Sequence, residues 1–194
     1  KHLQQSLEHR IEDISVSSVD WQNLKAITQA LQSESVDYVI FSVSLSVASP
    51  SDELQKLQQH FTEVVRLAVA NNLPVMLLSR ADVFSGKQRY YHEAERPQPQ
   101  TAIAEAYAYC EQYLQENSPR HIVLRSSWLF DGEGENFLTQ ALPFILSGER
   151  VAFNSAAKAC PTAIADLARV IQALLLQLPL MQGEGFGVYH YVSS

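Results

Sequence analysis

The chain reads as an α/β fold built on a doubly wound parallel sheet, and three observations predict it. Val36–Val43 and Pro74–Ser79 are short, nearly continuous apolar runs, the pattern of strands covered on both faces. Longer segments with apolar residues three and four apart lie between such runs and read as amphipathic helices. The two kinds alternate, which is the pattern of parallel strands joined by helical crossovers.

The elements follow in order. Leu3, Leu7 and Ile11 give a helix over 1–12, and a short strand is expected over 14–19. Asp20 can cap the next helix, 21–32, whose buried stripe is Leu24, Ile27 and Leu31. After the Val36–Val43 strand, Ser51 or Asp52 starts a long helix through Val64, Val65, Leu67 and Ala68 that ends near Asn71 and Asn72. The Pro74–Ser79 strand leads into a polar loop over 80–98, closed by Pro97 and Pro99. A helix over 102–117, a strand over 121–126 and a helix over 137–146 come next. Pro161 precedes a helix over 163–178, and 187–192 is the last strand.

Composition narrows the function. Fourteen basic against 21 acidic residues give a formal charge of −7, which argues against non-specific binding of nucleic acid or acidic membrane. No apolar run is read as approaching the ~20 residues of a membrane helix, and the N-terminus shows no signal-peptide core. A cytoplasmic protein is therefore expected, with Cys110 and Cys160 as two buried, reduced thiols. His2, His9, His60, His92, His121 and His190 are scattered without metal-ligand spacing, so no metal site is expected. No nucleophile elbow and no phosphate-binding P-loop occurs.

Open α/β sheets bind ligands beyond the carboxyl ends of their strands. The segments to inspect are therefore 42–46, 79–84 and 126–130. Leu78–Gly86 resembles the "ISTDYVFDG" segment of the dTDP-4-dehydrorhamnose reductase-like family of extended short-chain dehydrogenases/reductases. Tyr91-His92-Glu93 with Pro97 and Pro99 is similar to its "Y-x-E … P-x-P" loop, and Leu124–Phe130 to "LRTSWVYG". Gly134–Phe137 resembles "GxNF", Pro161–Ala168 resembles "PTYAxDLA", and Gly187–His190 resembles "GIYH". The order of these segments carries the resemblance, since each is weak alone.

The resemblance implies a Rossmann-like fold, a cofactor that is NADP or NAD, and a nucleotide-sugar-like ligand. It implies an NAD(P)-binding part over 1–126 and a partial substrate-binding region over 127–194 that interleaves with the last strands. The family's first strand, glycine-rich loop and C-terminal part are expected to lie outside this sequence, so the chain reads as truncated at both ends.

One departure bears on chemistry. The family pattern places tyrosine, lysine and glutamate four, eight and twelve residues after a proline. From Pro99 those positions hold Ile103, Tyr107 and Glu111, and the register runs without a gap to Arg125. Residues four apart share one helix face. In the family the lysine holds the nicotinamide ribose and lowers the tyrosine pKa, and the tyrosine protonates the substrate carbonyl. Isoleucine has no proton to give, and tyrosine at the lysine position has no positive charge. Tyr107, Asp82 and Tyr91 are the candidate substitute acids, and a nearby Glu111 would raise the Tyr107 pKa.

By the same resemblance Ser42, Val43, Ser79 and Tyr107 are the candidate cofactor contacts. Arg80, Trp128, Asn136 and Thr162 are the candidate substrate contacts. Arg80, Ala81 and Asp82 stand where the family has threonine, aspartate and tyrosine, and Ala159 replaces a glycine, with Lys158 as a compensating charge. The expected function is a nucleotide-sugar and NAD(P)-binding protein with weak or no ordinary reductase activity. Two alternatives stay open: a non-catalytic regulatory or scaffolding subunit similar to the β subunit of methionine adenosyltransferase, with a protein partner or as a homodimer, and a divergent reductase using another acid.

Overall fold

A parallel four-stranded sheet organises the chain in the computed structural model, which describes residues 16–32, 36–45, 49–132, 136–148, 150 and 159–193. Its strands are β1 (Val39–Phe41), β2 (Val75–Arg80), β3 (His121–Ser126) and β6 (Gly187–Tyr191), in the spatial order β1-β2-β3-β6. A separate two-stranded parallel ladder joins β4 (Leu129–Phe130) to β5 (Thr162–Ala163).

Helices cover both faces. Helices α1 (Leu24–Leu31), α2 (Ser51–Ala70) and α3 (Ala102–Asn117) pack on one side, and α5 (Ile164–Gln177) on the other. Helix α4 (Phe137–Leu146) lies between β4 and β5 in the chain. The pleat sorts the strand residues. Val75, Leu77 and Val123 join the core under α2 and α3, while Met76, Leu78, Ile122 and Leu124 join the core under α5. A strand that feeds two cores has no polar face, which is why β2 and β3 read as continuous apolar runs.

Local chemistry sets the helix ends. Thr101 accepts from the Ala104 amide and caps α3. Asn136 and Thr139 exchange side-chain and main-chain bonds in a capping box that starts α4. Helix α1 begins at Leu24, three residues later than Asp20 would place it, because Asn23 accepts from the Ala26 amide. Asp20 instead accepts from the Gln22 amide in the preceding turn.

Other expectations shift. The expected helix over 1–12 lies outside the described residues. Of the expected strand over 14–19, the described part, Val16–Val19, forms none. Strand β1 has three residues, with Val39 and Ile40 only half-buried, because among the described residues it lies at the sheet edge. Ile164–Met181 is an 18-residue apolar helical stretch of mean hydropathy 1.5, long and apolar enough to cross a membrane by length and composition alone. Here Leu167, Ala168, Ile171, Leu175 and Leu178 pack it against the sheet. Cys110 is buried, but Cys160 is exposed in the segment before Pro161.

Strand register builds a polar row across the sheet. Ser79 is level with Arg125 on β3, and Arg125 with His190 on β6. Glu111 comes down onto this row from α3. Its carboxylate accepts from the Ser79 hydroxyl and from Arg125, with Nη2 at 2.7 Å from Oε2. The pair is dry: the side chains of Arg125 and Glu111 are 3% and 0% exposed. Arg125 Nη1 also donates to the Glu93 carbonyl at 3.3 Å and to His190 Nε2 at 3.1 Å. Arginine cannot accept, so His190 holds a lone pair at Nε2 and is neutral. The guanidinium lies 4.9 Å from the centre of the Phe84 ring.

Two outcomes follow from this row. Glu111→Gln leaves Arg125 charged and buried without its counter-ion, and should cost about 3–5 kcal/mol in urea unfolding. Replacing both by apolar residues should cost far less. His190 is pushed below its ordinary value of 6.5 by burial first and by Arg125 next, with Glu93, the Tyr91 main chain and Glu111 opposing. The unfolded chain therefore takes up this proton first. The stability due to neutral His190 is complete above pH 6.5 and is lost as pH falls through the depressed folded value. His190→Gln, which keeps an acceptor but does not titrate, should flatten unfolding midpoints measured across that window.

Candidate functional site

Ile103, Tyr107 and Glu111 are spaced by one helical turn each on α3, and this stripe faces the sheet. Ile103 and Tyr107 are each 2% exposed and belong to the core shared with Phe41, Leu77 and Phe84. The two residues at the positions where the resemblance implies a proton-transfer pair are thus packed inside the protein.

The Tyr107 hydroxyl reaches the carboxyl end of β1 and donates to the Val43 carbonyl at 2.5 Å. Burial pushes its pKa up to about 12; Arg80 lowers it, and Cys110 and Asp82 add smaller upward contributions. The Glu111 carboxylate, one turn along the helix, is bonded to Ser79 and Arg125 and not to this hydroxyl. Burial likewise raises the Cys110 thiol to about 12, with Glu111 adding to it, so the thiolate is scarce near neutral pH.

Arg80 ends β2 beside this tyrosine. Its guanidinium grips Asp82 through Nε at 2.9 Å and Nη2 at 2.7 Å, and donates through Nη1 to the Leu45 carbonyl at 3.3 Å. It also lies 5.6 Å from the centre of the Tyr107 ring. The carboxyl ends of β1 and β2 are therefore bridged by protein side chains. Ser42 is exposed beside this bridge, and Val43 is half-buried within it. Ser79 is buried, and its proton is committed to Glu111.

Tyr91 occupies the loop after β2. Its ring stacks on Phe84 at 4.3 Å. Its hydroxyl accepts from the Gln88 amide at 3.1 Å and lies 3.4 Å from the Ser85 hydroxyl. These bonds, the Ser85 contact foremost, hold its pKa below the ordinary phenol value. Asp82 is exposed and engaged by Arg80.

Trp128 is 46% exposed in the bend between β3 and β4, and its ring packs 5.3 Å from Phe137. Asn136 caps α4 and donates to the Asp131 carbonyl at 3.1 Å. Thr162 is fully buried in β5, with its hydroxyl donating to the Cys160 carbonyl at 3.2 Å. Lys158 lies outside the described residues. No cluster of three or more metal-ligating side chains occurs among the described residues.

Sequence reasoning passed over the clamp made by Arg125, His190 and the Glu93 carbonyl. The available signal was a charge inside each of two buried elements: Arg125 in an apolar strand and Glu111 on an apolar helix stripe. At the carboxyl ends of β1 and β2, where the resemblance implies a nicotinamide riboside, the polar side chains are already engaged within the protein. The Tyr107 proton is committed to Val43, the Ser79 proton to Glu111, and the Arg80 charge is matched by Asp82.

Comparison with known proteins agrees with this architecture. The chain is similar to the dTDP-4-dehydrorhamnose reductase of Salmonella typhimurium, 24% identical over 181 residues, and spans 90% of this chain but 60% of that relative. A Sinorhizobium fredii enzyme of the same name is 25% identical over 174 residues, covering 89% of this chain and 54% of the relative. The fold matches the dTDP-4-dehydrorhamnose reductase of Bacillus anthracis solved in complex with NADP, with a TM-score of 0.80 at 19% identity, over 99% of this chain and 71% of that one. It also matches a Bacillus anthracis dTDP-glucose 4,6-dehydratase in complex with NAD, with a TM-score of 0.72 at 14% identity, over 97% of this chain and 61% of that one. The Rossmann-like reductase fold is thus present, over part of the length of those proteins. The family model described as the RmlD substrate binding domain matches residues 1–194, and the chain belongs to that family.

Proposed function

We propose that this chain is part of a nucleotide-sugar and NAD(P)-binding protein whose ordinary reductase activity is weak or absent. One observation carries the reading: the residues at the acid and lysine positions, Ile103 and Tyr107, are sealed in the core, and the only hydroxyl between them is bonded to a main-chain carbonyl. Reduction of a carbonyl needs a proton as well as hydride. A donor works best when its pKa lies near the working pH, and Tyr107 at about 12 is far from it. Losing such a donor typically costs about 10²–10⁴-fold in rate.

Ligand binding is supported by family membership and by the cofactors of structural relatives. The exposed Trp128 face is suited to stacking on a base or sugar. The unpaired cysteines suit a reducing, cytoplasmic setting. A second reading, a non-catalytic subunit acting through a partner enzyme or a second copy, draws support from the bare end of α4, where Phe144, Ile145 and Leu146 are exposed.

In thermal-shift titrations of the full-length protein, NAD or NADP and a dTDP-sugar should each raise the melting temperature. NADPH-dependent reduction of a 4-keto sugar nucleotide should run at least about 10²-fold below a reductase with the complete motif. A normal rate refutes the proposal. Tyr107→Phe should not abolish any residual turnover, whereas a Tyr91→Phe variant that abolishes it would identify Tyr91 as a working acid.

A further inference from the structure

We propose that Arg80 and Tyr107 form a specificity latch across the carboxyl ends of β1 and β2, so that the protein holds the adenosine diphosphate part of a dinucleotide and excludes its nicotinamide riboside. The proposal rests on the dinucleotide-binding reading above.

The latch has two arms. Tyr107 rises from α3 and donates to the Val43 carbonyl at 2.5 Å. Arg80 crosses from the end of β2 and donates to the Leu45 carbonyl at 3.3 Å. The arms touch: the guanidinium carbon lies 5.6 Å from the centre of the Tyr107 ring, close enough for a cation–π contact. Asp82 fixes the second arm through two guanidinium nitrogens, which removes the freedom of the long arginine side chain. Main-chain acceptors at the end of β1 are thereby bonded from two neighbouring elements.

Position gives the latch its meaning. The carboxyl ends of parallel strands are where open α/β sheets hold ligands. Tyr107 stands where the family resemblance implies a lysine on the nicotinamide ribose, and it is 2% exposed. A ribose there must displace Arg80 or break the Tyr107–Val43 bond. Arg80 does not serve as a phosphate ligand in this arrangement, because Asp82 already matches its charge and takes its fork. The two substitutions act together: the tyrosine supplies a flat face and a hydroxyl, and the arginine covers the one and braces the loop that accepts the other.

The test is isothermal titration calorimetry on the full-length wild type, Arg80→Ala and Tyr107→Phe, with ADP, 2′-phospho-ADP, NAD and NADP as ligands. In the wild type, each dinucleotide should bind no more than about threefold tighter than its matching adenosine diphosphate. Arg80→Ala should tighten the dinucleotide by about tenfold or more and leave the adenosine diphosphate within about twofold. Tyr107→Phe, which frees the Val43 carbonyl but keeps the ring, should shift the same ratio in the same direction by less. Binding of the adenosine diphosphate also reports that each variant is folded. A wild type that binds the dinucleotide tenfold tighter than the adenosine diphosphate overturns the latch alone, as does an Arg80→Ala ratio equal to that of the wild type. A wild type that binds neither class overturns the dinucleotide reading, and the latch falls with it.

Discussion

The buried ion pair between Glu111 and Arg125 is the constraint on which the rest of the architecture depends. Two charges removed from water are unfavourable unless every remaining donor and acceptor is met. Here Ser79, His190 and the Glu93 carbonyl meet them, and each comes from a different element. One pair therefore fixes the height of α3 over the sheet, the register of β2, β3 and β6, and the path of the loop after β2. The same pair sets the rotation of α3, and the rotation decides which way Ile103 and Tyr107 point. In this chain they point into protein.

Retention and replacement divide along that stripe. Glu111, whose role is to hold the helix, keeps the identity that the family pattern gives it. Ile103 and Tyr107, at the positions where the resemblance implies a tyrosine and a lysine, do not. The scaffold and the chemistry are separable because they use different residues of one helix. Family membership can then be plain from the whole chain while the reaction is argued from two positions.

Much of the fold was legible because it rests on local signals. Helices α3 and α4 and strand β3 lie where periodicity and capping place them, since Thr101, Asn136 and the apolar run 122–124 act within a few residues of themselves. Strand β1 is shorter than its apolar run because Val36 and Tyr38, apolar in sequence, precede only three paired residues. The two-residue strands β4 and β5 have no period to detect. The site was legible as a pair of missing groups, but its present contacts were not. Whether Arg80 faces solvent or Tyr107 depends on Asp82 and on the carbonyl of Leu45, thirty-five residues away. That the hydroxyl of Tyr107 ends on Val43 depends on how β1 and α3 meet, sixty-four residues apart in the chain.

Partner spacing in the polar row also bears on how the chain matures. Arg125 finds Glu111 only 14 residues upstream, but His190 lies 65 residues downstream and joins through the parallel β3–β6 ladder. Parallel pairing at such separation is slow, because a long connection must be ordered before any ladder bond forms. During synthesis the carboxylate is therefore already in place when the guanidinium emerges, whereas the imidazole arrives only after α4 and α5. Until it does, β3 presents an open edge, and a nascent chain halted between these events is the species most exposed to wrongful strand pairing with its neighbours.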